Sequence, residues 1–137
     1  MASNYSIYGI AVFWFLSVPP HLYALFILAK ANDCEDKTAK WATFEKLELV
    51  SKNGFENLPL SGAAVILGNM ATIASGTMNA STVAFVGFRI AYWAAYVKSM
   101  IHKTFFGTGF WFLSVIPPLY LIAASGGRLQ KEQLIRI

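Results

Sequence analysis

Residues 52–60, KNGFENLPL, run directly into residues 60–68, LSGAAVILG, one of the most apolar stretches of the chain. A helix about to enter an oily environment carries Lys52, Asn53, Glu56 and Asn57 at its mouth. A carboxylate at such a boundary is costly unless it faces protein, water or a ligand. Asn53, Glu56 and Asn57 stand at i, i+3 and i+4, so the helix presents them on one face. Upstream, residues 40–56 read KWATFEKLELVSKNGFE. Trp41, Phe44, Leu47 and Val50 or Leu49 recur there at helical spacing. The pair Glu48–Lys52 has the favourable i,i+4 order. The same helix therefore starts near Thr38 and projects from the bilayer before entering it.

Composition supports the bilayer. The chain has 137 residues, 56% of them hydrophobic and only 13% charged, with mean hydropathy +0.51. Average soluble domains are about 45–50% apolar and about 25% charged. The length suits one domain, residues 1–137. A net charge of +4 belongs to loops between apolar runs, and no basic-aromatic groove or nucleic-acid motif is present. The single Cys34 excludes an internal disulfide and any cysteine-pair metal site. His21 and His102 lack neighbours at ligand spacing, so no metal is expected.

A membrane-spanning helix needs roughly 20 mostly apolar residues. Ile7–Ala29, Leu58–Met78, Thr82–Ile101 and Phe105–Ala124 meet this reading. The expectation is an all-α, integral-membrane four-helix bundle with helices over about 7–29, 38–78, 82–103 and 105–125. Lipid offers the backbone no partners, and these runs lack the strict alternation of a barrel strand. The first run has no basic residue before it and reads as a retained helix, not a signal peptide. WFLSVPP at 14–20 is echoed by WFLSVIPP at 111–118, and the paired prolines predict kinks in both helices. GTMNAS at 76–81 reads as the second connection, and GGRLQKEQLIRI at 126–137 as a mobile polar end or a short amphipathic turn. Lys30, Lys37, Lys40, Lys46, Lys52, Lys98 and Lys103 cluster around the first and third connections, against Arg128, Lys131 and Arg136 in the tail. The positive-inside rule then puts those connections in the cytosol and both termini in the lumen or exterior.

The third helix offers a stripe to match the polar mouth. Arg89, Tyr92, Tyr96 and Lys103 fall at i, i+3, i+7 and i+14. Arg89 lies inside an apolar run, and a guanidinium there needs a partner. Glu56 on the preceding helix is the expected one. Two readings stand open: an ion pair that fixes helix register, or a polar pocket for a charged ligand. Asn69 reads as a mid-membrane amide bonded within the bundle, and Trp14, Trp41, Trp93 and Trp111 include interface anchors, with lining of a substrate cleft as the alternative for Trp93.

NGFENLPL, followed by FRIAYWAAYV at 88–97, resembles the MAPEG superfamily, the membrane-associated proteins of eicosanoid and glutathione metabolism, most closely its divergent fungal members. The resemblance covers nearly the whole chain. It implies a left-handed four-helix bundle, a homotrimer in the endoplasmic reticulum membrane, and glutathione bound near the cytosolic boundary between neighbouring subunits. It implies that Asn53 and Glu56 hold the polar ends of the tripeptide, with Lys52 and Arg89, and that Tyr92 and Tyr96 line the site. Lys103 takes the spacing of the thiolate-stabilising arginine of the leukotriene synthase branch. Leu49, Lys52 and Lys103 stand where family members carry arginines, and lysine does not reproduce arginine's planar fork. A lysine cation still favours a thiolate.

Three functions follow from the resemblance. The first is a glutathione-dependent transferase that adds the thiolate to a lipophilic electrophile from the bilayer, with Lys103 and Tyr96 stabilising the thiolate. The second is a glutathione-independent isomerase or cyclase of a biosynthetic pathway, with Tyr92, Tyr96, Glu56 or Lys103 as general acid or base. The third is a non-catalytic lipid-binding scaffold.

Overall fold

The computed structural model describes residues 3–31, 37–98 and 106–135. Cys34, His102 and Lys103 lie outside the described residues. Four helices follow one another: α1 Ser6–Ala31, α2 Lys37–Met70, α3 Ser75–Lys98 and α4 Phe106–Ile135. α1 packs chiefly on α2 and α3 on α4, with α2 also against α4.

Two boundaries differ from the sequence reading. α2 ends at Met70, not Met78, and GTMNAS is the first turn and a half of α3. The cause is a Schellman cap. The Ile73 amide donates to the Gly68 carbonyl at 2.9 Å and the Thr72 amide to the Asn69 carbonyl at 3.1 Å. Thr72 takes the left-handed conformation this cap requires, φ 50°. Gly or Asn normally marks that position; a β-branched threonine hides it from sequence reading. The Arg128 Nη1 donates to the Thr72 carbonyl at 2.9 Å, so α4 seals the turn. The second difference is the tail: α4 runs unbroken to Ile135, through both Gly126 and Gly127. At about 1.5 Å per residue, its 30 residues span about 45 Å and α2's 34 residues about 51 Å. Both exceed the hydrocarbon thickness of about 30 Å, α2 by its charged first half.

The N-terminal arm is tied to the same end. Asn4 Oδ1 accepts from the Ser6 amide at 3.1 Å and Oγ at 2.6 Å. Asn4 Nδ2 donates to Asn69 Oδ1 at 2.7 Å, and Asn79 Nδ2 donates to the Ser3 carbonyl at 2.8 Å. Asn69 thus sits beside the α2–α3 turn, not at mid-membrane. Residues 3–5, this turn and Arg128 share one end of the bundle; α1 and α3 end, and α2 and α4 begin, at the other.

The bundle is apolar outside and partly polar within. Ile7, Tyr8, Phe15, Leu22 and Phe26 of α1, and Phe112, Ile116 and Leu119 of α4, are exposed. Ser17, Ser51, Ser61, Ser114, Ser125 and Arg89 are buried. Most of these serines return their protons to their own helix: Ser17 to the Phe13 carbonyl at 2.9 Å and Ser125 to Leu121 at 2.6 Å. Ser51 bonds across to the Ser17 carbonyl at 2.8 Å, joining α2 to α1. Small residues set the helix spacing. A Cβ at Gly54 would collide with Ser17 Oγ and Cβ, and one at Gly68 with Met78 Sδ and Cε. The turn end of the core is apolar, built from Ala64, Val65, Ala71, Ile73, Met78 and Leu121.

Taken singly, only α1 and α4 are apolar enough to span among the described residues: 6–30 at mean hydropathy 1.7 and 107–135 at 1.4. α2 is diluted by its charged first half, and α3 by Arg89, Asn79 and its small hydroxyl and glycine residues. These two are held in the bundle by polar groups turned to neighbouring helices, Asn53 of α2 and Arg89 of α3.

Candidate functional site

Asn53 is the hub of the polar half. Its Oδ1 accepts from Trp111 Nε1 of α4 at 3.2 Å. Its Nδ2 donates to the Tyr92 hydroxyl of α3 at 3.3 Å. Its backbone carbonyl accepts from Arg89 Nη2 at 2.9 Å and from Asn57 Nδ2 at 2.8 Å. One residue therefore ties α2 to both α3 and α4. The Tyr92 and Tyr96 rings lie 5.6 Å apart at 44°, and Arg89 stands 5.6 Å from the Tyr92 ring. Arg89, Tyr92 and Tyr96 thus form a continuous line on α3. The fourth member of that stripe, Lys103, lies outside the described residues.

The expected Arg89–Glu56 ion pair does not form. Arg89 is buried at 5% exposure and bonds to the Asn53 carbonyl; Glu56 is exposed. Helical geometry explains it. Asn57 lies about 40° around α2 from Asn53, toward Gly54 and α1, whereas Glu56 lies about 60° the other way. Lys52 and Leu49 fall on that same outward side and are also exposed. Asn53, Glu56 and Asn57 therefore do not act on one partner. Asn53 and Asn57 serve the interior, and Lys52 and Glu56 face out. Arg89, expected among the tripeptide's ligands, is enclosed by the rings of Phe13, Phe85 and Tyr92 at 5.5, 5.9 and 5.6 Å and does not reach that outer surface.

Two participants escaped the sequence reading. Trp111, read as an anchor, binds Asn53. Its echo Trp14 is 44% exposed, although both tryptophans sit edge-on to the following phenylalanine, at 86° and 84°. Nothing in the repeated motif separates the two; only the packing of α4 on α2 does. The other is a dyad between α1 and α2, His21 Nδ1 to Glu48 Oε1 at 2.5 Å. Spacing along the helix pairs Glu48 with Lys52 and gives His21 no partner.

The arrangement offers a rigid amide–aromatic cluster behind an exposed carboxylate and ammonium, on helices whose outer surface is apolar. That suits a polar ligand held beside a lipophilic one. No curated protein and no solved structure matches the chain. The family model described as the MAPEG family matches residues 7–127. With that match over most of its length and a four-helix bundle apolar on its outside, the chain belongs to the MAPEG family and is an integral membrane protein.

Proposed function

We propose that the protein is a membrane enzyme that uses glutathione to attack a lipophilic electrophile, working as a homotrimer in the endoplasmic reticulum membrane with both termini lumenal. The observation that carries this reading is the adjacency of exposed Lys52 and Glu56 to the Asn53–Tyr92–Tyr96–Trp111 cluster. Glu56 would take the tripeptide's amino end and Lys52 a carboxylate. Asn53 acts as a positioning residue, because both ends of its side chain are engaged within the subunit. Tyr92 and Tyr96 form the wall behind the thiol. Lys103 would favour the thiolate by its charge. The thiol proton leaves to solvent as the thiolate forms; its sulfur then bonds to the electrophilic carbon while a π or strained ring bond of the substrate breaks, and the resulting anion takes a proton back from solvent. Arg89 takes no part in holding the tripeptide.

The test is glutathione titration into the full-length protein in detergent, followed by thiolate ultraviolet absorbance. A saturable signal, lost in Lys103→Ala and weakened in Glu56→Gln, supports the reading. No binding at millimolar ligand refutes it. One observation favours a second reading, a glutathione-independent isomerase or cyclase using Tyr, Glu or Lys acid–base chemistry. Leu49 is 51% exposed on the outward stripe, where family members carry an arginine for a glutathione carboxylate. Turnover of a lipophilic substrate without glutathione would establish that alternative; neither binding nor turnover would leave a lipid-binding scaffold.

A further inference from the structure

Away from the polar cluster, an open groove of about 460 Å³ runs between α1 and α3. Helical spacing sets its walls: Gly9 and Val12 on α1, and Val83, Gly87 and Ile90 on α3, recur every third or fourth residue. Two glycines shape it. A Cβ at Gly9 would collide with Thr82 Cγ2, so the two helices touch there. A Cβ at Gly87 would meet nothing within 4 Å, so the seam opens at that level. Val12, Val83 and Ile90 are exposed along it, and in an integral membrane protein that exposure faces hydrocarbon.

Length, width and polarity say what fills it. From Asn79 to Ile90, the ends of its α3 wall, the helix rises about 16 Å. That is about half of a bilayer's hydrocarbon core of roughly 30 Å, so the groove spans one leaflet. Spread over that length, its volume corresponds to a channel about 6 Å across. A helix with its side chains is about 10–12 Å across and does not enter; a single hydrocarbon chain does. The polar end is the turn end. Tyr5 and Tyr8 are exposed there, their rings 6.5 Å apart, and tyrosines gather where hydrocarbon meets headgroups. Asn79 beside them is already engaged, accepting from the Tyr5 amide at 2.8 Å and donating to the Ser3 carbonyl at 2.8 Å. Deeper in, the valine and isoleucine side chains offer water no hydrogen bond, and such a space stays dry.

We propose that this groove seats one acyl chain of a phospholipid from the leaflet at the turn end, with the headgroup beside Tyr5 and Tyr8. This does not rest on the glutathione reading: the groove is lined by α1, α3 and the arm before α1, whereas Lys52 and Glu56 stand on α2. The experiment places the full-length protein in phosphatidylcholine vesicles that contain a phosphatidylcholine with a diazirine midway along one acyl chain. After photolysis, adducts are mapped by peptide mass spectrometry. They should concentrate on Val12, Val83 and Val86, in excess over the exposed Phe112 and Ile116 of α4. Gly87→Leu, whose side chain enters the open seam, should remove that excess and leave the labelling of α4 unchanged. Should Gly87→Leu not fold, Val83→Trp obstructs the groove from its exposed rim and should do the same. Even labelling of α1, α3 and α4, or an excess that survives the obstruction, would overturn the proposal. So would a diazirine-bearing sterol that labels the groove and displaces the phospholipid adducts. A second copy of the chain covering the groove would also overturn it, read as no groove adducts together with disulfide formation between Val83→Cys chains.

Discussion

Removing the Asn53 side chain tests the hub directly. Asn53→Ala deletes the acceptor of Trp111 Nε1 and the donor to the Tyr92 hydroxyl, 3.2 and 3.3 Å long. It leaves the backbone carbonyl, so the Arg89 bond survives. Hydrogen bonds between membrane helices average about 0.6 kcal/mol, with a maximum near 1.7. Orphaning a buried donor costs about 1–3 kcal/mol. Both bonds are long and the groups only partly buried, so the lower half of each range applies. The expected loss is about 1.5–3 kcal/mol. A double-mutant cycle with Trp111→Phe isolates one bond and should give a coupling of about 0.5–1.5 kcal/mol, read from reversible unfolding in detergent by circular dichroism. Asn53→Asp keeps the Trp111 acceptor and should restore that coupling. A coupling within about 0.3 kcal/mol of zero, the scatter of independent sites, would refute the assignment of Asn53 as the tie between α2 and α4.

Three further expectations are simpler. Gly54→Val should destabilise by about 1–3 kcal/mol, because its Cβ meets Ser17 Oγ and Cβ; Gly62→Ala, with nothing within 4 Å of the new atom, should stay within about 0.5 kcal/mol of wild type in the same melt. Thr72→Gly should raise stability by about 0.5–1 kcal/mol, since a left-handed threonine costs about 1–2 kcal/mol and glycine's extra entropy returns part of it; a lower melting temperature would discredit the strained cap. Glu48→Gln should change stability by less than about 1 kcal/mol in denaturant, as His21 and Glu48 are 45% and 34% exposed and solvent screens them.

Much of this molecule was legible in its residues because the determining physics is local. Four apolar runs and the lysines between them predict a helical membrane bundle without reference to neighbours, since lipid forbids unsatisfied backbone. The spacing of Arg89, Tyr92 and Tyr96 predicts a line on α3, because 3.6 residues per turn is a property of the helix alone. Tertiary structure decided what depends on which helix stands opposite. It turned Arg89 to a backbone carbonyl instead of Glu56, because the rotation of α2 that buries Gly54 against Ser17 carries Glu56 outward. It drew Trp111 into the hub and left Trp14 exposed, though their sequence contexts nearly coincide. It ended α2 eight residues early, with a left-handed threonine sealed by Arg128 from the far end of the chain, a contact between residues 56 positions apart. Periodicity along the sequence says which residues share a face; only packing says what that face meets.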